Sequence, residues 1–163
     1  MDRPVHVQRI AVPDRGPSAR PLDRRSYTVA FQVDTSGAAR RSPEQWLRST
    51  FEDAPRRWRW FLLVGWTALT CRLQPRRSPT RVLGWQVASA ADDRAEIVVH
   101  AWVGLTSRLA VTIDEGTLTL SSIVDFTGPT APVARVLWAL TVPLHERVLP
   151  HLLAQALGRA ATP

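Results

Sequence analysis

LTSRLAVTIDEGTLTLSSIVDF, residues 105–126, alternates apolar and polar side chains on both sides of Asp114-Glu115-Gly116. Leu105, Ser107, Leu109, Val111 and Ile113 share one face, with Thr106, Arg108, Ala110 and Thr112 opposite. Beyond the Asp-Glu-Gly hairpin signal, Leu118, Leu120, Ser122, Val124 and Phe126 share a face against threonines, Ser121, Ile123 and Asp125. Period two on either side of a tight turn predicts a pair of half-buried antiparallel strands.

The same parity recurs upstream. Ala95–Val103 places Ile97, Val99, Ala101 and Val103 against Glu96, Val98, His100 and Trp102, and Arg81–Ala88 aligns Leu83, Trp85 and Val87. Ser26–Asp34 aligns Tyr27, Val29, Phe31 and Val33. The expectation is five mostly antiparallel strands with one apolar face, which something must cover. Ala131–Ala160 is the long segment able to do so, with Val133, Val136, Leu137, Leu140, Leu144 and Val148 as its apolar stripe. Pro143 and Pro150 predict a kink or break near each. Between the first strand and the rest, Ser42 as cap, Pro43 and Gln45 start a helix that carries Trp46, Leu47, Thr50 and Phe51 on one face. Ala54-Pro55 interrupts it, a second helix runs from about Arg56 to Leu73, and 75–79 is a basic loop. The fold class is α+β.

A chain of 163 residues suits one domain with an ordinary core. Residues 1–25, with four prolines and six arginines, read as an extended arm, and 26–160 as the single domain. The net charge of +7 is all arginine against acid, with no lysine. Residues 1–81 hold 16 Arg and 7 acids, and residues 82–163 hold 5 Arg and 7 acids. This bias fits GC-rich coding, and no recognition helix or RNA-binding motif accompanies it, so no nucleic-acid partner is expected. Cys71 alone can form no internal disulfide, and no metal-ligand cluster is present, so neither metal nor cofactor is expected. The N-terminal residues lack the apolar core of a secretory signal, and Trp60–Cys71 is too short to span a bilayer. A cytoplasmic protein is expected. Arg56, Arg57 and Arg59 among Trp58 and Trp60 leave a weak membrane-surface contact open.

The element order resembles the helix-grip fold of the START, Bet v 1 and polyketide-cyclase superfamily. Ser42-Pro43-Glu44-Gln45-Trp46, Phe51-Glu52 and Pro55 resemble one bacterial family of unknown function within it. So do Val82-Leu83-Gly84-Trp85, Val136-Leu137-Trp138-Ala139-Leu140, Pro143, His145, Arg147-Val148 and Pro150, the likeness covering about 26–157. The resemblance implies a further edge strand, for which 4–13 is the candidate, and a cavity between sheet and last helix. It names no activity.

In such a cavity, strand parity places Phe31, Trp85, Val99, Leu109, Leu120 and Val124, with Leu137 and Thr141 from the helix. Ser107 and Ser122 are the polar side chains sent inward from the strands. This lining suits a hydrophobic, aromatic or lipid-like small molecule, although the same parity describes a closely packed core with no cavity. Trp58, Trp60 and Trp66 form the expected portal, and Trp102 on the polar sheet face offers a homodimer contact. No histidine pairs with a carboxylate or thiol at nucleophile or metal spacing: His6 is in the arm, His100 is on the polar face, and His145 and His151 fall on different helix faces. No catalytic residue is nominated. A ligand-binding domain is the first expectation. A cofactor-free cyclase- or dehydratase-like enzyme is the second, and a peripheral membrane or protein-interaction module is the third.

Overall fold

A computed structural model of the chain describes residues 6–11, 26–36, 38–74 and 78–161. Seven strands form one antiparallel sheet in the order β1-β2-β7-β6-β5-β4-β3. They are β1 (Gln8–Ile10), β2 (Tyr27–Asp34), β3 (Arg81–Val82), β4 (Trp85–Ala90), β5 (Arg94–His100), β6 (Leu105–Asp114) and β7 (Thr117–Phe126). Three helices accompany them: α1 (Pro43–Phe51), α2 (Arg56–Ala68) and α3 (Ala131–Ala161). With the long C-terminal helix packed on the sheet, this is an α+β helix-grip arrangement. The rest of the N-terminal arm and residues 75–77 of the 75–79 loop lie outside the described residues.

The sheet follows the alternation of the sequence. Leu109 pairs with Ser122 and Ile97, Val111 with Leu120, and Phe31 with Leu120, so the apolar sets of four strands share one face. Glu115 and Gly116 both take positive φ, 43° and 81°, which is the backbone a two-residue hairpin between β6 and β7 requires. The edge position sought in 4–13 is filled by β1, whose three residues pair with Ala30–Gln32. The predicted strand 81–88 is instead a tight β3–β4 hairpin around Leu83 and Gly84, both at positive φ. That split, together with β1, raises the expected five strands to seven. The second helix is also shorter than expected. It ends at Ala68 because Thr70 turns to φ 59° and Cys71 bridges to Ala101.

At its start, α1 carries the capping box read from Ser42 and Gln45. Arg48 then ties it to the β3 hairpin, pairing with Glu44 and Glu52 while donating to the carbonyls of Pro79 and Arg81. Glu52 in turn accepts the Leu83 N–H at 3.1 Å.

The expected face of α3 was wrong over its first half. Val133, Val136, Leu140 and Leu144 are exposed, by 57, 63, 76 and 47%. Ala131, Ala134 and Trp138 are buried instead, followed by Val148, Leu149, Leu152, Leu153, Ala156, Leu157 and Ala160. Apolar residues run almost around this helix, so spacing alone does not choose a face. The sheet accepts the small alanines, which let the backbone approach, and the large indole between them. The expected break is also absent, since α3 continues through Pro143 and Pro150. Pro143 is exposed, where water can satisfy the carbonyl one turn back that its missing N–H leaves unpaired.

Candidate functional site

Between α2, α3 and strands β4 and β6 lies a cavity of about 90 Å³. Phe61, Leu62, Gly65, Trp66 and Leu69 line it from α2, at the i, i+1, i+4, i+5, i+8 spacing of a single helix face. Trp138, Thr141, Leu144, His145, Val148 and Leu149 line it from α3. Alternate residues Leu105, Ser107 and Leu109 of β6, with Trp85 and Cys71, complete the wall. The rings form a chain, with Trp66 5.0 Å from Trp85 and 6.3 Å from Phe51.

The lining contains no Asp, Glu or Arg. Its polarity comes from Cys71, Ser107, Thr141 and His145. Thr141 Oγ1 donates to the Trp138 carbonyl at 2.9 Å. His145 Nε2 lies 3.0 Å from Ser122 Oγ on β7. Its ring meets Trp138 at 4.9 Å and Tyr27 at 6.1 Å, both edge-on. Burial pushes the imidazole down to about 4, so the ring is neutral at physiological pH. Burial also pushes the Cys71 thiol up to about 12, which makes it inert as a nucleophile near neutrality. Ser107 is only 4% exposed. The indole N–H groups of Trp85 and Trp138 are buried without partners among the described residues.

The next residue fixes this end of the site. Glu146 accepts the Tyr27 hydroxyl at 2.8 Å and both Arg9 guanidinium nitrogens at 2.8 and 2.9 Å. One turn of α3 is thereby fastened to β1, β2 and β7. Burial and the Glu146 bond hold the Tyr27 phenol well above its ordinary value.

Of the residues expected at the cavity, Trp85, Ser107, Leu109 and Thr141 line it, and Ser122 stands behind as the partner of His145. Phe31, Val99, Leu120 and Val124 are close-packed core beyond the lining. Leu137 is half-buried against the cluster that includes Trp138 and Leu105. Of the three tryptophans expected at a portal, Trp66 lines the cavity and the other two do not. Trp58 packs against the His151 ring, tilted to it at 4.9 Å, and Trp60 is 56% exposed, because the helical turn carries both off the cavity-facing side of α2. Phe61, Gly65 and Leu144 are lining residues that are also exposed to solvent. Trp102 is exposed, with the Arg72 guanidinium 3.6 Å above its ring. His145 is a polar residue of the lining that sequence reasoning did not place there. Its signal was the succession Trp138, Thr141, His145 on one helix face, which a search for paired carboxylates or thiols passes over.

Among the described residues no cluster of His, Cys, Asp and Glu could hold a metal ion, and no helix is long and apolar enough to cross a membrane. No protein-family model and no curated protein matches the chain. Among solved structures it is similar to the di-domain ARO/CYC BexL from the BE-7585A biosynthetic pathway, at 11% identity and a TM-score of 0.37, over 88% of this chain and 52% of that one. It is also similar to CalU16 from Micromonospora echinospora, at 10% identity and a TM-score of 0.33, over 98% of each chain. The chain spans about half the length of BexL.

Proposed function

We propose that this protein binds a hydrophobic or aromatic small molecule between its sheet and the α2–α3 pair. The supporting observation is the cavity itself, walled by Trp66, Trp85 and Trp138 and bare of charged side chains. At about 90 Å³ the cavity is smaller than the few hundred Å³ usual for whole ligands. An aromatic ring would seat inside, and any larger body would leave through the opening beside Gly65. Gly65 supplies the test, because a Cβ built there meets nothing within 4 Å. Gly65→Leu narrows the opening without disturbing the core. The neutral fluorophore N-phenyl-1-naphthylamine should bind saturably to the native protein and at least tenfold more weakly to Gly65→Leu. Non-saturable binding, or equal binding to both proteins, would rule this reading out.

His145 favours a second reading, a cofactor-free cyclase- or dehydratase-like enzyme acting on a polyketide-like or lipid-like substrate. A neutral imidazole in an apolar wall can accept or pass a proton at a bound carbon acid or hydroxyl. Turnover of a candidate substrate that survives His145→Phe would remove this mechanism. A third reading, contact with a membrane surface, is favoured by exposed Trp60, Phe61 and Val64 beside exposed Arg56 and Arg57. Co-sedimentation with phosphatidylglycerol vesicles should then drop in the Trp60→Ala/Phe61→Ala double variant, and an unchanged pellet would exclude it.

A further inference from the structure

We infer that the cavity selects an uncharged ligand carrying a hydroxyl on an apolar ring, and that His145 and Ser107 are the residues that read that hydroxyl. The inference deepens the binding function proposed above and rests on it. Three observations carry it.

The first is an excess of hydrogen-bonding capacity inside an apolar wall. Ser107 lines the cavity at 4% exposed, and the indole N–H groups of Trp85 and Trp138 in the same wall are buried without partners among the described residues. A buried polar group in that condition costs more than one paired to a ligand or solvent. His145 uses Nε2 toward Ser122, and Nδ1 is its second hydrogen-bonding atom.

The second is placement. Ser107 pairs with Val124 and Ser122 with Leu109 across β6 and β7, so the two serines sit diagonally on the same sheet face. That diagonal is roughly 7 Å, and His145 reaches Ser122 from above. Ser107 and His145 therefore converge on the same end of the cavity. Trp138 and Tyr27, packed edge-on to the imidazole, fix its plane.

The third is charge and tautomer. With no Arg, Asp or Glu in the lining, a carboxylate or an ammonium would enter unpaired, which is heavily disfavoured. A neutral imidazole has one donor and one acceptor nitrogen. The Ser122 hydroxyl can rotate to donate to Nε2 or to accept from it, which leaves Nδ1 as donor or acceptor respectively. A ligand hydroxyl matches either state, whereas a ketone matches one. Ser107, itself donor and acceptor, completes the pair.

The test compares phenol, toluene and benzoate on the full chain by isothermal calorimetry or ligand-observed NMR. Toluene keeps the ring and loses the hydroxyl, and benzoate adds a charge. The ratio of phenol to toluene affinity should fall about tenfold in His145→Phe, the scale of one hydrogen bond, and severalfold in Ser107→Ala, while benzoate should not compete. Ser107→Ala removes only a hydroxyl from the wall, so it decides the question if His145→Phe fails to fold. A ratio unchanged in the folded variants, or benzoate bound as tightly as phenol, overturns the inference and leaves the cavity as a plain apolar site. If neither phenol nor toluene binds, the binding function proposed above fails with it.

Discussion

His145 links the site to the stability of the whole chain. Its folded value of about 4 lies below the ordinary 6.5 of an exposed imidazole. Between those values the unfolded chain takes up a proton that the folded chain refuses. Unfolding free energy therefore falls as pH drops from 6.5 toward 4, by about 3 kcal/mol in total from this residue. Urea denaturation at pH 7 and at pH 4.5 should show a smaller loss on acidification in His145→Gln than in the native protein. Equal losses would mean that the imidazole is not held neutral. The residue also marks where the sequence stopped being informative about the site. Strand alternation was enough to bring Ser107, Leu109 and Trp85 to one face, because a pleat leaves two choices. A histidine on a helix has many, and its role depends on Ser122, 23 residues earlier in the chain. Only the packing of α3 brings the two together.

Elements differ in how openly their sequences declare them. α1 is written out by its capping box, and the β6–β7 hairpin by two alternating runs and a glycine that takes positive φ. In α3 the sequence offers competing apolar faces, and the choice belongs to the sheet. Two substitutions would check the observed face. Trp138→Ala should cost about 3–5 kcal/mol by the loss of a buried indole, while Val136→Ser, at an exposed position, should change stability by less than about 0.5 kcal/mol. The reverse ranking in denaturant melts would restore the face expected from spacing. Glycines divide in a similar way. A side chain at Gly104, φ 76°, would meet the Thr127 carbonyl at 2.2 Å, so Gly104→Ala should destabilise by more than about 2 kcal/mol. Gly65→Ala fills open space in a helix and should stabilise by up to about 1 kcal/mol. Thermal melts of the pair should move in opposite directions.

Across the whole molecule, the architecture was legible because element order and one-sided strands leave few ways to close a core. The surface was not. Residues 60–64 of α2 and 133–144 of α3 expose Trp60, Phe61, Val64, Val133, Val136, Leu140 and Leu144. These side chains are of the kind that composition and periodicity assign to interiors, and two of them, Phe61 and Leu144, also line the cavity. A hydrophobic ligand leaving water would first meet apolar surface, then the opening, then the aromatic wall.

The clamp at Glu146 has a consequence for solubility. β1 covers only Ala30–Gln32 of the eight-residue β2, and the two-pronged Arg9–Glu146 bridge holds that short strand to α3. Without it, β2 would become the sheet's outer strand, with unpaired amides and carbonyls available to another molecule. Loss of the bridge should therefore favour edge-to-edge association. Glu146→Gln should raise light scattering at high protein concentration before it lowers the melting temperature.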